Sequence, residues 1–312
     1  MDKVSIITTF YNADKFIVNA IHSVAQQITT EKFSIEYVIV DDKSPDKSLE
    51  IIKTYFERNK PVGNLELKII TPEENLGCGG ARKFGIDNAT GNYFMFLDAD
   101  DYYLNKDFVK RAYETIINEN ADIVEYGVLF NLQNGNKRAD VVSDKIVCEN
   151  NSSLAELLLF ADNKIKFNVW SKIYRRHIVE SFPYSTERTF EDVRTIPVWL
   201  KNANKIVIMP SCEINYRAAS NSIIRNNIIE TRLGTITAIA SLFEIFKDDY
   251  RVLKSMYQRS MVDLEAVLHN HSSNNEGFNE MSRLNTYMLS YLYPDTYNTL
   301  TYHVEDDEEA HK

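Results

Sequence analysis

The sequence predicts an α/β protein in which a mostly parallel sheet is covered by helices and followed by a helical C-terminal region. Two observations lead to this fold class. The first 130 residues alternate short β-branched or aromatic runs with amphipathic stretches, as strand–helix units do. From about Glu230 onward, apolar residues instead recur at helical spacing. A chain of 312 residues is long enough for one large domain or two smaller ones.

The first part of the chain is expected to contain four strands, at residues 4–9, 37–41, 67–71 and 93–98. A covering helix is expected after each of the first three strands. The apolar faces of the first two helices consist of Ile17, Ala20, Ile21 and Val24, and of Leu49, Ile52 and Phe56. The third helix begins near Gly79 and carries Phe84 and Ile86.

The regular alternation weakens after Asn131, where a polar loop, a helix around 154–160 and a segment at 168–174 predict α+β structure. Two apolar stripes then mark the C-terminal helices: Ile236, Ile239, Phe243 and Phe246, and Leu253, Tyr257, Leu264 and Leu268. We therefore expect a domain at residues 1–225, with halves at about 1–130 and 131–225. A helical region at 226–312 with an acidic tail is expected to follow.

The composition is that of a folded, soluble protein, with 44% hydrophobic residues and a formal charge of -10. The acidic balance argues against a general nucleic-acid-binding protein. The three cysteines lie far apart, which argues against a disulfide framework and fits a reducing compartment. The chain shows neither a secretory signal nor a long apolar segment. A cytoplasmic location is therefore expected, and attachment to a membrane surface stays open.

Three carboxylates follow the fourth expected strand. Asp98, Asp100 and Asp101 come after the apolar run at 93–97, at the end of the strand where ligands bind in open α/β sheets. Because side chains alternate on a strand, Asp98 and Asp100 should point the same way if the extended conformation persists. Mg²⁺ or Mn²⁺ would remove their mutual repulsion. The alternative is an acidic turn in which Asp101 caps a helix.

The second expected strand also ends in acids, Asp41 and Asp42. Two neighbouring strands that end in this way make an acidic crevice, and Asp42 is expected to contact a ligand there. Ser44 and Asp46 follow within five residues. We expect these two side chains only to organise the turn into the next helix.

A glycine-rich segment, Gly77-Cys78-Gly79-Gly80, differs in place and spacing from a dinucleotide fingerprint, which follows the first strand. It predicts a backbone-accessible turn at the start of a helix, with Arg82 one turn further on, where a pyrophosphate could approach. The alternative is that the glycines only allow a tight turn.

Several ordered stretches together suggest a family. They are residues 4–12, Asp41-Asp42, Asn75-x-Gly77 with Ala81-Arg82-x-x-Gly85, and Asp98-Ala99-Asp100-Asp101. In this order the chain resembles family 2 glycosyltransferases, which implies a GT-A fold with a Rossmann-like mixed sheet. Residues 168–176, Phe190-Glu191-Asp192-Val193, Tyr216-Arg217 and Asn221-Ser222-Ile223 are similar to members that build bacterial surface polysaccharides. The likeness covers roughly residues 3–225.

The resemblance implies a role for each matching residue. The residues implied to bind the nucleotide sugar are Thr9, Phe10, Tyr11, Asp42, Asn75, Gly77, Arg82, Asp98 and Ala99. Asp42 corresponds to the acid that hydrogen-bonds uracil. Asp100 and Asp98 correspond to the ligands of Mn²⁺ or Mg²⁺, and Asp101 is a further candidate. Asp192 corresponds to the catalytic base and Glu191 to its partner; without the family, both residues also fit an ordinary helix N-terminus.

The sequence departs from the family at three positions, where Thr9 replaces a frequent Pro, Lys43 a frequent Gly and Lys83 a frequent Asn. None of these positions is one of the carboxylates, so the departures concern the identity of the donor rather than the class of reaction. Trp170 is expected either to stack on a sugar or to pack in the core, and Trp199 to pack.

The implied reaction moves one sugar from a UDP-sugar to a hydroxyl of a cell-surface glycan, lipid-linked oligosaccharide or glycoprotein, with inversion at the anomeric carbon. A divalent ion would absorb the charge of the departing diphosphate, and Asp192 would take the hydroxyl proton. The sequence lacks the Gln-x-x-Arg-Trp motif of processive members. The alternatives are a nucleotidyltransferase and a sugar-binding scaffold.

The C-terminal helices lie outside the resemblance. We expect them to pack on the catalytic domain. A homo-oligomer contact is the next interpretation, and recognition of the acceptor or docking on a membrane surface stays open.

Overall fold

The computed structural model describes residues 1–131, 136–149, 165–217, 228–270 and 275–294. Its contacts divide the chain into two compact units, Met1–Ser222 and Ile223–Lys312. The helix expected at 154–160, the segment Asn221-Ser222-Ile223, and the acidic tail lie outside the described residues.

The first half of the larger unit is a parallel sheet with a helix after each of three strands. Its elements are β1 (Asp2–Phe10), α1 (Ile17–Ala25), β2 (Phe33–Asp41), α2 (Ser48–Arg58), β3 (Leu65–Ile70), α3 (Gly77–Asp87) and β4 (Tyr93–Phe96). β1 lies between β2 and β4, and β3 pairs with β2, all in parallel. Parallel strands are covered on both faces, which explains why β2 is buried along its whole length. The expected strand–helix alternation is confirmed.

The helices pack on this sheet in two different ways. The four apolar residues predicted to form one face of α1 are all fully buried. Helix α3 instead buries its small residues: a Cβ atom added to Gly85 would come within 2.7 Å of Ile7 Cγ2 and 3.1 Å of Val40 Cγ2. Phe84 and Ile86 are only half-buried. The glycines of α3 thus let the helix lie directly against β1 and β2.

The second half of the unit extends the same sheet with antiparallel pairs. Its elements are β5 (Tyr102–Tyr103), α4 (Phe108–Asn118), β6 (Ile123–Asn131), β7 (Lys137–Asp140), β8 (Ile146–Glu149), β9 (Lys172–Arg175), α5 (Arg176–Ser181), α6 (Glu191–Asn202) and β10 (Lys205–Arg217). The main strand order is β3-β2-β1-β4-β9-β6-β10-β5. β9 pairs antiparallel with both β4 and β6, so it joins the two halves into one mixed sheet.

An aromatic cluster holds α6 next to the end of β4. Trp199 on α6 is fully buried among Phe96, Tyr174 and Tyr184, with ring centroids 5.1 to 6.4 Å away. Its indole nitrogen donates a hydrogen bond to the Phe182 carbonyl at 2.9 Å. The prediction that Trp199 packs in the core is confirmed, and this packing fixes α6 against the end of β4.

The smaller unit contains the helices α7 (Ile228–Ala240), α8 (Tyr250–Asn270) and α9 (Asn275–Leu292). The stripe from Ile236 to Phe246 is buried as predicted, and Phe243 contacts Tyr291 of α9 with ring centroids 6.0 Å apart. Part of this apolar surface is therefore core of the helical unit itself. Among the helices in the described ranges, none is both long enough and apolar enough to cross a bilayer.

Candidate functional site

The acids after β4 lie in a turn rather than on an extended strand. β4 ends at Phe96, and the backbone N–H of Asp101 donates to the carbonyl of Asp98 at 3.1 Å. The expected strand to residue 98 is thus two residues too long, and the argument from side-chain alternation does not apply. A tight turn can still bring these carboxylates close together, because it folds consecutive residues back on one another. The alternative of an acidic turn is the one that the structure shows for the backbone.

Two of the carboxyl groups in this turn, those of Asp100 and Asp101, have a raised pKa. Burial and the negative charge of Asp98 raise the pKa of Asp100 to about 6. Burial, followed by the charges of Asp98 and Asp100, also raises the pKa of Asp101. One oxygen of Asp101 accepts the backbone N–H of Arg217 at 2.8 Å, but Oδ2 is buried and has no hydrogen-bond partner among the described residues. Such a cluster repels additional negative charge and attracts cations.

This donor set fits a hard divalent cation at an open site. Mg²⁺ and Mn²⁺ bind oxygen ligands, and Mg²⁺ commonly takes one or two carboxylates together with substrate phosphate oxygens. In the described part of the chain, no three acidic, His or Cys side chains form a preformed metal cage. The predicted ligands Asp98 and Asp100, with the unsatisfied Asp101 oxygen behind them, therefore suit a cation that the substrate helps to hold.

Asp42 at the end of β2 fastens the start of α3. Its two carboxylate oxygens accept the backbone N–H groups of Leu76 at 2.7 Å and Gly77 at 2.9 Å. The Asn75 side-chain amide donates to the Asp42 carbonyl at 2.7 Å. Burial raises the pKa of Asp42, while these amide hydrogen bonds act to lower it. Three residues predicted to bind the nucleotide, Asp42, Asn75 and Gly77, are thus brought together.

The residues after Asp42 organise a turn, as the sequence predicts. The Ser44 hydroxyl and the Ser48 hydroxyl and amide donate to Asp46 over 2.6 to 3.0 Å. The amides of Asn12 and Asp14 donate to Ser44 and Asp46, each at 2.9 Å. Burial alone would raise the pKa of Asp46, but its four hydrogen bonds lower it to about 2. This turn holds the loop that follows β1.

Three further predicted nucleotide contacts lie at the end of β1 and differ in accessibility. Thr9 is half-buried, and the Phe10 side chain is only 3% exposed, so its ring belongs to the core. Tyr11 is 53% exposed. Of the two aromatic rings, only that of Tyr11 is open to a ligand.

The glycine-rich segment is covered by another part of the chain. Gly77 has a φ of 73°, which makes a tight turn that a side chain would strain. A Cβ atom on Gly79 would lie 2.4 Å from the Ser185 carbonyl oxygen and 2.3 Å from that of Glu187. The prediction of a backbone-accessible turn at Gly79 is therefore wrong, because residues 185–187 pass directly over it. The tight-turn alternative holds for Gly77.

Glu191 and Asp192 begin α6, directly after a residue in a rare conformation. Phe190 has φ 59° and ψ 24°, the left-handed region that bulky residues avoid. Glu191 is 6% exposed and Asp192 is half-buried. Burial and the Glu191 charge raise the pKa of Asp192 to about 7, although the charge of Arg82 opposes them. Asp192 is therefore a carboxyl group that both binds and releases a proton near neutral pH.

Arg82 joins the two acidic regions. Its guanidinium donates from Nη2 to Asp98 Oδ1 at 2.6 Å and from Nη1 to Glu191 Oε1, and Nη1 also lies 3.3 Å from the Tyr184 hydroxyl. The sequence indicates that Arg82 lies beside a diphosphate and gives no sign of these partners. Glu191 is 109 positions away, and no local pattern connects the two residues.

Sequence reasoning also missed a buried ion pair behind the motif at 168–176. Lys172 and Glu125 have fully buried side chains, 3.2 Å apart between Nζ and Oε2. Lys172 Nζ also donates to the carbonyls of Lys166 and Asn168, at 2.7 and 2.9 Å. Burial lowers the pKa of Lys172 to about 8, although Glu125 opposes the shift. A lysine directly before the apolar strand residues Ile173 and Tyr174 is the signal that could have indicated this pair.

Trp170 lies in the segment that Lys172 holds. Its ring stacks on Tyr216, with centroids 5.4 Å apart and planes at 16°, and the residue is 8% exposed. Of the two alternatives for Trp170, the structure shows packing. The next residue, Arg217, supplies the amide that binds Asp101, so this stack lies beside the acids after β4.

Residues 5–180 match the family model described as Glycosyl transferase family 2. Among similar proteins, glycosyltransferase GlyA of Streptococcus pneumoniae is 24% identical over 282 residues, which are 85% of this chain and 38% of GlyA. Poly(ribitol-phosphate) beta-N-acetylglucosaminyltransferase TarS of Staphylococcus aureus is 31% identical over 214 residues, which are 67% of this chain and 34% of TarS. The chain thus spans about a third of the length of these two relatives.

Two solved structures share the fold. Residues 1–349 of S. aureus TarS in complex with UDP-GlcNAc superpose with a TM-score of 0.57 at 19% identity, covering 93% of this chain and 91% of that one. Mannosyltransferase PcManGT from Pyrobaculum calidifontis, in complex with GDP-Man and Mn²⁺, gives a TM-score of 0.56 at 14% identity, covering 95% and 87%. The mixed sheet matches these glycosyltransferases, which confirms the predicted fold class.

Proposed function

The chain belongs to glycosyl transferase family 2, and from this membership we propose that it transfers one sugar from a UDP-sugar donor to a hydroxyl group. The proposed acceptor is a cell-surface glycan, a lipid-linked oligosaccharide or a glycoprotein. The observation that carries the proposal is that one buried arginine joins the acids after β4 to the start of the helix that bears Asp192. A donor-binding region and a proton acceptor thus belong to one site.

The donor region consists of the ends of β1, β2 and β4. We propose that Tyr11 stacks on the base and that Thr9 contacts the nucleoside. Asp42, Asn75 and Gly77 form the hydrogen-bonded corner beside it, and Asp98 and Ala99 face the ribose. TarS, a relative with 31% identity, has been solved with UDP and with UDP-GlcNAc, which supports a UDP-sugar as the class of donor.

Asp100 and Asp98 would hold a divalent cation, Mn²⁺ or Mg²⁺. When bound there, such a cation acts as a Lewis acid toward the charge of the departing diphosphate. The raised pKa of Asp100, caused by burial and the charge of Asp98, and the Asp101 oxygen that has no partner among the described residues support this assignment. Arg82 fixes the orientation of Asp98 through one carboxylate oxygen and leaves Oδ2 available.

Asp192 is the proposed base that takes the proton of the attacking hydroxyl. A general base works best when its pKa lies near the working pH, and the pKa of Asp192 is about 7. A single base and a direct displacement produce inversion at the anomeric carbon. Lys172 and the stacked Trp170 hold the neighbouring segment, which we propose contributes to the acceptor side.

The experiment that tests this function is incubation with a panel of UDP-sugars and Mn²⁺, followed by analysis of the nucleotide product. Release of UDP supports sugar transfer, release of pyrophosphate indicates a nucleotidyltransferase, and neither product indicates a binding protein. We expect Asp192→Asn to bind UDP as the wild type does and to lose turnover. Unimpaired transfer by this variant would remove Asp192 from the role of base.

The proposal for the remaining partners follows the sequence expectations. We propose a cytoplasmic enzyme that adds single residues, with the C-terminal helices as the contact surface of a homo-oligomer. Size measurement by light scattering, with and without residues 226–312, tests the oligomer alternative.

A further inference from the structure

Arg82 is a buried cation, and both terminal nitrogens of its guanidinium bind groups of the protein. The residue is 5% exposed, on the first turns of α3. Nη2 bonds to Asp98 and Nη1 to Glu191, and Tyr184 lies on the same side. The guanidinium is planar and its donors form a rigid fork, so it can bond two carboxylates in a fixed mutual orientation. In this arrangement Arg82 acts as a strut between the turn after β4 and the start of α6.

The segment that leads to Asp192 is held on α3 at two further points. Arg188 donates from Nη1 to the Asn75 side-chain oxygen at 3.0 Å and from Nη2 to the Asn75 carbonyl at 3.1 Å. Residues 185–187 lie so close to Gly79 that no side chain fits between them. The polypeptide from Tyr184 to Glu191 therefore follows the surface of α3, with Arg82 as its last attachment.

The contact between Arg82 and Glu191 lies next to Phe190, which has a strained backbone conformation. Phe190, with φ 59°, separates the strapped segment from Glu191. A bulky residue keeps a left-handed conformation only where its surroundings enforce it. The ion pair between Arg82 and Glu191 is one contact next to Phe190 that can do so, since Glu191 is buried and its partner is fixed by Asp98. Without this ion pair, the first turn of α6 would be held by fewer contacts, among them the Thr195 hydroxyl, which donates to the Glu191 carbonyl at 2.8 Å.

We infer that Arg82 is a positioning residue, which sets Asp192 in register with the acids after β4 by holding Glu191 at the start of α6. The inference rests on the proposed function of Asp192 as the base. It differs from the role that the sequence suggests for Arg82, because the guanidinium reaches the reaction through Asp98 and Glu191. Misplacement of a reacting group by about 1 Å can cost about a hundredfold in rate.

The test uses two variants that break the strut at different ends. Arg82→Lys keeps the positive charge, but a single ammonium group cannot reproduce the two-sided fork. Glu191→Gln leaves the bond between Arg82 and Asp98 in place. We expect each variant to lower kcat about ten- to a hundredfold. For Glu191→Gln, the donor KM and the UDP dissociation constant should stay at the wild-type values.

Hydrogen–deuterium exchange gives a second measurement that does not depend on activity. Both variants should speed exchange in peptides covering 184–194, with little change in β1 to β3. Arg111→Lys is the matched control, because Arg111 also binds a buried carboxylate, Glu213, at 2.6 and 2.7 Å, on another part of the sheet. This control should retain the wild-type kcat and the wild-type exchange in 184–194.

The inference is overturned if Arg82→Lys and Glu191→Gln exchange like the wild type in 184–194, or if their kcat is unchanged. It is also overturned if exchange rises throughout the domain, as in a general loss of stability. Full transfer by Asp192→Asn would instead refute the proposed base. The exchange of residues 184–194 would still show in that case whether Arg82 holds the segment. If Arg82→Lys does not fold, Glu191→Gln decides alone.

Discussion

The two acidic strand ends of the sheet look alike in sequence and differ in chemistry. After β2, the oxygens of Asp42 and Asp46 receive amide and hydroxyl hydrogen bonds, and the pKa of Asp46 falls to about 2. After β4, burial and mutual repulsion raise the pKa of Asp100 to about 6, and an oxygen of Asp101 has no partner among the described residues. The first group of acids is satisfied by hydrogen bonds, whereas in the second group Asp98 pairs with Arg82 and the acids Asp100 and Asp101 keep a raised pKa.

The difference separates a structural use of carboxylates from a functional one. A carboxylate that accepts several N–H groups stabilises a turn and has little capacity left for a ligand. A cluster of buried carboxylates with too few partners lowers the stability of the fold. Such clusters are typical of functional sites, where a bound ligand or cation stabilises them. The acids after β4 are accordingly the centre of the proposed donor site, and those after β2 form its rigid wall.

The largest expected effect is a loss of activity when an acid after β4 is replaced, but not when an acid after β2 is replaced. Asp100→Asn should lower kcat/KM for sugar transfer by at least about a hundredfold, because a proposed cation ligand is lost. Asp46→Asn removes a charge of the same kind from the structural turn and should keep the wild-type kcat. Initial rates of UDP release at saturating Mn²⁺ measure both. Equal losses in the two variants would contradict the assignment of different roles.

The pH dependence of the reaction is the next largest effect. Because the pKa of Asp192 is raised to about 7, its carboxyl group is protonated below that pH and cannot accept the hydroxyl proton. We expect kcat/KM to fall about tenfold per pH unit as the pH drops below 7, and to level off above it. UDP binding at saturating Mn²⁺, measured over the same range, should vary far less. A rate profile that stays flat from about pH 5.5 to about pH 8 would exclude a base with this pKa.

The smallest expected effect is on stability and has opposite signs at the two strand ends. Asp46→Ala should lower the free energy of unfolding by about 1–3 kcal/mol at pH 7, because buried donors lose their acceptor. The pKa of Asp46 is lowered in the folded state, so this contribution is present above the unfolded pKa and disappears as the pH falls toward 2. Urea titrations of the wild type and the variant at several pH values measure the difference.

In the absence of added metal, we expect Asp100→Asn to have the opposite effect on stability from Asp46→Ala. The folded-state pKa of Asp100 is raised, so its ionised form destabilises the protein increasingly as the pH rises through about 6. The variant should therefore be at least as stable as the wild type at pH 8. A loss of stability as large as that of Asp46→Ala would show that the acids after β4 are also structural.

The fold was predictable to the extent that local patterns determine it. Buried parallel strands are apolar along their length, which identified β1, β2 and β4, and the periodic face of α1 was fully correct. The short strand β7, whose sequence is Lys-Arg-Ala-Asp, is exposed and carries no such pattern. Its pairing with β6 depends on tertiary contacts, which a propensity argument does not reach.

The site was predictable in its carboxylates and not in their partners. Asp42, Asp98 and Asp100 follow strands, and the order of the strands in the sheet brings such ends together. The link through Arg82 joins residues more than a hundred positions apart, and the cover over Gly79 comes from residues 185–187. Lys43 has a φ of 60°, in the left-handed region that glycine adopts most easily, and its sequence gives no sign of this conformation.

The most direct test of the account is calorimetric titration of UDP into the protein with Mn²⁺ and with EDTA. We predict that UDP binds with Mn²⁺ present, that chelation weakens the binding strongly, and that Asp100→Asn abolishes this dependence on metal while Asp192→Asn preserves it. Equal UDP affinity in EDTA and in Mn²⁺, together with unchanged binding by Asp100→Asn, would contradict the claim that the acids after β4 hold a cation for the donor.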